Sequence, residues 1–154
     1  VKKKDKKTHN ELCKQGKRWL EKTIGARLAI SEMVCLNKFG EIPDVIGWKS
    51  GYSILIECKT SKSDFRADFK KTFRQIPEQG MGTFRIYLCP DNIIKPEDLP
   101  VGWGLLYYHP ERKNLKRIVC FSGNILMPAG NMDYFKANFE SEKNLLLSFI
   151  SRKK

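Results

Sequence analysis

Long apolar runs are missing from this 154-residue chain. None approaches the roughly 20 residues that cross a bilayer, and no secretory leader is visible. A soluble, cytoplasmic protein with no membrane partner is expected. Histidine is scarce, with only His9 and His109. The five cysteines, Cys13, Cys35, Cys58, Cys89 and Cys120, contain no C-x-x-C pair. Their odd number, wide spacing and mostly apolar neighbours read as buried thiols of a reduced protein, not a disulfide framework. With so few ligands at suitable spacing, a zinc site is not expected. Acidic charge is also short: 17 Asp and Glu face 29 Lys and Arg, for a formal net charge of +12. That balance points to a polyanionic partner, nucleic acid foremost. Residues 1–7 read as a frayed basic tail, and the initial Val suggests a trimmed start. A second basic run closes the chain, and discounting both runs still leaves a positive excess.

What is present reads as one domain over residues 8–152, large enough for a real core. Leu12, Trp19, Leu20 and Ile24 recur at helical spacing, and Thr8-His-Asn-Glu11 fits a capping box. A first strand is expected over residues 26–36, turning at Asn37-Lys-Phe-Gly40 into a second that carries Asp44. Tyr52-Ser-Ile-Leu-Ile-Glu-Cys-Lys59 is β-rich and mostly apolar, as a buried strand is. Phe65, Phe69, Thr72, Phe73 and Ile76 mark one face of a second helix, which Pro77 and Gly80 end. Strands follow at 83–89, 103–109 and 116–122, then a helix within 132–152. The order is α-β-β-β-α-β, followed by β-β-α.

The chemistry concentrates at Asp44, Glu57 and Lys59. Glu57 and Lys59 are two apart on a strand and therefore share a face. A hairpin turn centred on Ser50-Gly51 sets position 44 across from position 57. Two carboxylates facing each other on a buried sheet repel, unless a hard cation lies between them.

Pro43-Asp44 and Glu57-Cys58-Lys59 on adjacent strands, in this order of elements, resemble the PD-(D/E)XK nuclease superfamily. The stretch Ile56-Glu-Cys-Lys-Thr-Ser-Lys-Ser-Asp-Phe-Arg-Ala-Asp-Phe-Lys70 looks like the MmcB-type DNA-repair and phage group. Pro100-Val-Gly-Trp-Gly-Leu-Leu106 resembles the Gly-Leu strand that often follows the core there. The resemblance implies an α/β, restriction-endonuclease-like αβββαβ core, a mixed central sheet flanked by helices, with the C-terminal β-β-α as elaboration. It implies a Mg²⁺- or Mn²⁺-dependent deoxyribonuclease acting in repair, recombination or mobile-element metabolism. Asp44, Glu57 and the Cys58 carbonyl would hold the metal, with the Cys58 side chain facing the core. Lys59 would orient or deprotonate the attacking water, or stabilise the phosphorane. Glu11 matches a metal-associated Glu of the first helix, or is only the capping-box acid. Many relatives dimerise, so a homodimer is compatible.

Lys62, Arg66, Lys70, Lys71 and Arg74 lie on or beside the second helix, away from its Phe face, and are candidate phosphate contacts. A solvated helix face is the plainer use. Glu32 is a weaker metal candidate, more simply a solvent-facing residue of the first strand. Asp64 and Asp68 are expected as caps and ion pairs. Trp48, Trp103, Tyr107 and Tyr108 are expected mainly in the core. Two other readings stand beside the nuclease: a non-catalytic nucleic-acid-binding module, and a basic protein-interaction domain.

Overall fold

The computed structural model describes residues 3–35, 38–123 and 125–154. Helix α1 spans Lys3–Trp19 and continues as a π-helical turn, Leu20–Ile24. Strands β1 (Leu28–Ser31), β2 (Val45–Lys49) and β3 (Tyr52–Cys58) follow. Helix α2 (Lys62–Asp68) and the one-turn α3 (Thr72–Gln75) lead to β4 (Phe84–Pro90). Then come β5 (Gly104–His109), β6 (Asn114–Val119) and α4 (Phe139–Arg152). The architecture is mixed α/β, with one six-stranded sheet in the order β1-β2-β3-β4-β5-β6. The first three strands are antiparallel, β3, β4 and β5 are parallel, and β6 returns antiparallel.

The β2–β3 hairpin has the expected register. Val45 pairs with Ile56 and Lys49 with Tyr52. Ser50 and Gly51 both have positive φ, 51° and 81°, as the two-residue turn of a twisted hairpin needs. Extending the ladder by one residue sets Asp44 in line with Glu57.

One sheet face packs on α1. Leu12, Cys13, Trp19 and Leu20 meet Val45, Ile54, Ile56, Cys58, Ile86 and Leu88 in one buried cluster. Gly16 lets the helix approach; a Cβ there would sit 3.3 Å from Leu88 Cδ2. The other face carries Leu55, Phe65, Tyr87, Trp103 and Leu105, with Ile46 and Leu145 of α4 in a neighbouring cluster. β4 and β5 are covered on both sides and read as near-continuous apolar runs, as central parallel strands do. Trp103 stacks on Tyr87, ring centroids 4.2 Å apart. Tyr107 and Tyr108 are buried as well.

Four expectations need correction. The basic run from Lys3 onward is not frayed but the first turns of α1, so Thr8 lies inside the helix. Its hydroxyl donates to the Lys4 carbonyl, and no capping box forms with Glu11. The first strand is shorter than 26–36: it ends at Ser31, and Glu32 turns the chain with φ 48°. Leu36 and Asn37 of that expectation lie outside the described residues. The second helix is broken at 69–71, where Lys71 is extended (ψ 135°). Phe65 and Phe73 are buried, but Phe69 and Ile76 are largely exposed. The sixth strand begins two residues before the expected position, at Asn114.

Candidate active site

The end of the β2–β3 hairpin opens into a cleft of about 980 Å³. Asp44, Glu57, Cys58 and Lys59 line it, with His9 and Lys6 from α1 on one bank and Ser63, Asp64 and Lys71 on the other. Ser61 caps α2 by accepting from the Asp64 N–H at 3.1 Å, which fixes the turn beyond Lys59. The Asp64 carboxylate in turn accepts from the Thr60 N–H at 3.4 Å.

Asp44 Oδ2 accepts from the Cys58 N–H at 2.8 Å, and Asp44 Oδ1 lies 3.2 Å from His9 Nε2. Burial works against its charge, yet His9, the Cys58 amide and Lys59 hold its pKa below the ordinary value. Asp44 raises the His9 pKa in turn, with help from Cys13 and against burial, to about 11. His9 is therefore imidazolium at neutral pH and partly neutralises the carboxylate.

Glu57 is 3 % exposed. Its Oε1 lies 3.2 Å from Arg74 Nη2, and its Oε2 lies 4.0 Å from Lys59 Nζ. Oε1 and Nη2 are each buried without a hydrogen-bond partner, so charge alone pairs them. Burial first, and the Asp44 charge second, push the Glu57 pKa well up. Lys59 is also buried, which works against its charge, but Glu57, Asp68 and Asp64 outweigh that and raise its pKa. Lys59 is thereby favoured as an ammonium, which can donate to oxygen.

Beneath the cleft, Arg74 bridges three carboxylates. Its Nη1 lies 2.7 Å from Glu41 Oε1 and its Nε 2.8 Å from Asp68 Oδ2, beside the Glu57 contact. Asp68 is fully buried and also faces Lys59 (3.4 Å), Lys71 (2.9 Å) and the Tyr87 hydroxyl (2.7 Å). In an unbroken helix, residues six apart point about 120° away from each other. The break at 69–71 lets Asp68 and Arg74 turn toward one point.

Asp68 gives a pH prediction. Burial opposes its charge, but Arg74 and Lys59 hold its pKa far below the ordinary value. The unfolded chain thus takes up this proton more readily than the folded one. The contribution to stability is full above about pH 3.9 and is lost as pH falls further. Urea midpoints between pH 6 and pH 2.5 should fall steeply below about pH 4 in wild type, and less steeply in Asp68→Asn.

The structure brings Asp44, Glu57, Cys58 and Lys59 to one cleft but leaves Glu11 out. Glu11 accepts from Gln15 Nε2 at 2.8 Å and lies 3.4 Å from the Tyr108 hydroxyl, on a different flank of α1. Its expected catalytic and metal-binding role is therefore not supported by position; His9, two residues earlier, is the α1 residue that reaches Asp44. The Cys58 thiol faces the core as expected, beside Cys13, and burial raises its pKa. Arg74 is not a phosphate contact, since its side chain is only 4 % exposed inside the ion-pair network. Arg66 and Lys70 are exposed. Lys62 lies 3.6 Å from Asp98 Oδ2, and Lys71 keeps a half-exposed ammonium at the cleft. His9 escaped the sequence reading although Cys13, four residues on, marks the same face of the helix.

Asp44 and Glu57 are the residues of the cleft that could hold a hard divalent cation. Hydrogen bonds and charge contacts use only part of the four lone-pair positions of each carboxylate. Glu57 Oε1 has no hydrogen bond at all. Two acidic groups that oppose each other's ionisation are the donor set such an ion relieves.

No protein-family model matches the chain, and no match was found among curated proteins. Among solved structures, SPO1766, a protein of unknown function from Silicibacter pomeroyi, is similar. The match has a TM-score of 0.63 at 21 % identity and covers 94 % of this chain and 88 % of that one. The likeness is one of fold. Among the described residues, no helix is long and apolar enough to cross a membrane.

Proposed function

We propose that the chain is a metal-dependent DNA endonuclease of the PD-(D/E)XK type, with a restriction-endonuclease-like core formed by α1, β1–β3, α2 and β4. The observation that carries the reading is one cleft lined by Asp44, Glu57 and Lys59; Asp44 is not on the second strand as expected but one residue before β2, in line with Glu57 of β3. The antiparallel β1-β2-β3 ladder with β4 parallel to β3 supports the core assignment.

Asp44, Glu57 and the Cys58 carbonyl would hold Mg²⁺ or Mn²⁺. When bound, such an ion polarises the phosphoryl oxygen and lowers the pKa of attacking water. Lys59 donates to a phosphate oxygen or to the water and steadies charge that develops during attack. A general-base role would need a depressed pKa, whereas its carboxylate neighbours raise it. Lys6 and Lys71 on the two banks attract the phosphate backbone.

One observation favours a second reading. Arg74 already gives Glu57 an opposite charge at 3.2 Å, as in a structural ion pair of a non-catalytic nucleic-acid-binding module. Cleavage of single-stranded, duplex, flap and four-way-junction DNA with Mg²⁺ or Mn²⁺ against EDTA separates the two readings.

Binding alone is testable at Lys70 and Lys71. Replacing both with Ala should weaken affinity for all DNA sequences alike. It should also flatten the plot of log affinity against log salt by up to about 0.9 per lost phosphate contact. The single-turnover rate at saturating DNA should change far less. An unchanged salt slope would remove these residues from the interface.

A further inference from the structure

We propose a second metal site of a different chemical class: His9, Cys13 and Glu32 bind a borderline-soft divalent cation, Zn²⁺ being the best match. The inference is independent of the DNA-cleavage reading. His9 Nδ1 lies 3.3 Å from Glu32 Oε1 and 3.8 Å from Cys13 Sγ, and the three donor atoms all fall within 4.8 Å of one another. Around a tetrahedral Zn²⁺, with Zn–N near 2.0 Å and Zn–S near 2.3 Å, ligand atoms sit roughly 3.3–3.8 Å apart. The two separations from His9 Nδ1 fall in that range before any ion enters, and the Cys13–Glu32 separation is within 4.8 Å.

Three local features build it. His9 and Cys13 are four apart on α1 and share one side of the helix. Glu32 is delivered by the left-handed turn that ends β1. It is half exposed, and Cys13 and Glu32 line one surface cleft while His9 lines the active-site cleft, so the cluster lies between two openings. The other ring nitrogen supplies an independent argument. His9 Nε2 lies 3.2 Å from Asp44 Oδ1, so it keeps its N–H on that carboxylate when the cation displaces the Nδ1 proton of the imidazolium and the Cys13 thiol proton, both released to solvent. Metal-binding histidines almost always have such an outer partner, which fixes the tautomer and ring orientation. A thiolate and an imidazole select Zn²⁺ over Mg²⁺, whereas Asp44 and Glu57 offer only hard oxygens. The fourth position would be open to water. The scarcity of histidine argued against zinc from the sequence, but a site of three protein ligands needs only one.

The site would tie α1 to the end of β1 and hold His9 against Asp44. The test is a titration of the chelator-treated 154-residue chain with Co²⁺, read by absorbance, followed by displacement with Zn²⁺. A thiolate-to-cobalt charge-transfer band in the near ultraviolet should saturate at one thiolate-bound equivalent; Co²⁺ on the Asp44–Glu57 carboxylates gives no such band. Cys13→Ser should lose that band. Glu32→Gln, at a half-exposed position where folding is not at stake, should weaken binding by about tenfold or more. Glu57→Gln and excess Mg²⁺ should leave the spectrum unchanged. The proposal is overturned if no Co²⁺ binds, if the band persists in Cys13→Ser, if Glu32→Gln binds as wild type does, or if Mg²⁺ or Glu57→Gln abolishes the signal.

Discussion

Replacing Arg74 with Met is expected to remove about 3–5 kcal/mol of folding stability, the cost typical of removing one partner from a buried ion pair. Three carboxylates, Glu41, Glu57 and Asp68, meet this guanidinium. All three are buried. Burial works against the charge of Arg74, yet Glu57, Glu41 and Asp68 hold its pKa above the ordinary value. Without it, negative charges remain in a site with little water. They are then easier to protonate, so the deficit should shrink between pH 7 and pH 5. Urea denaturation of wild type, Arg74→Met and the exposed control Lys70→Ala checks both claims. A loss under about 1 kcal/mol would put the network in the class of weak, solvent-screened pairs.

Glu57→Gln is expected to lower metal-dependent cleavage by about 10²–10³-fold, the scale of removing one transition-state electrostatic contact. The substitution barely changes volume. Arg74 keeps Glu41 and Asp68, so the fold should persist. DNA affinity should stay similar or rise, because one negative charge leaves a cleft that faces phosphate. Single-turnover rates and equilibrium binding on the same DNA separate the two effects. A variant that binds far more weakly but cuts at the wild-type rate once saturated would assign Glu57 to binding.

The pairing of Asp44 with Glu57 was legible because a two-residue turn fixes hairpin register, and Ser50-Gly51 was visible between two apolar strands. The parity of Glu57 and Lys59 followed from the strand period. The break after Asp68 was not legible. Phe65, Phe69 and Phe73 recur at helical spacing, and that pattern says nothing of a buried carboxylate that draws Lys59, Arg74 and Tyr87 around it. Arg74 consequently read as a surface cation, although it is the interior support of the cleft. The start of α1 was hidden by its lysines, which have no apolar period until Leu12. That displaced the helix origin and suggested a capping box at Thr8-His-Asn-Glu11, while Glu11 itself was singled out by the resemblance. For the break after Asp68 and for Arg74 the missing information was long-range charge pairing, which local periodicity does not carry.

The most direct measurement is cleavage of end-labelled DNA by the wild-type chain, in single-stranded, duplex, flap and four-way-junction forms. It is run with Mg²⁺, with Mn²⁺ and with EDTA, and Glu57→Gln is run beside each. Metal-dependent nuclease activity would give cleavage of at least one form with Mg²⁺ or Mn²⁺, none with EDTA, and a loss of about 10²–10³-fold in the variant. Salt-dependent binding of every form with no cleavage under either metal, or cleavage that Glu57→Gln leaves intact, would contradict it.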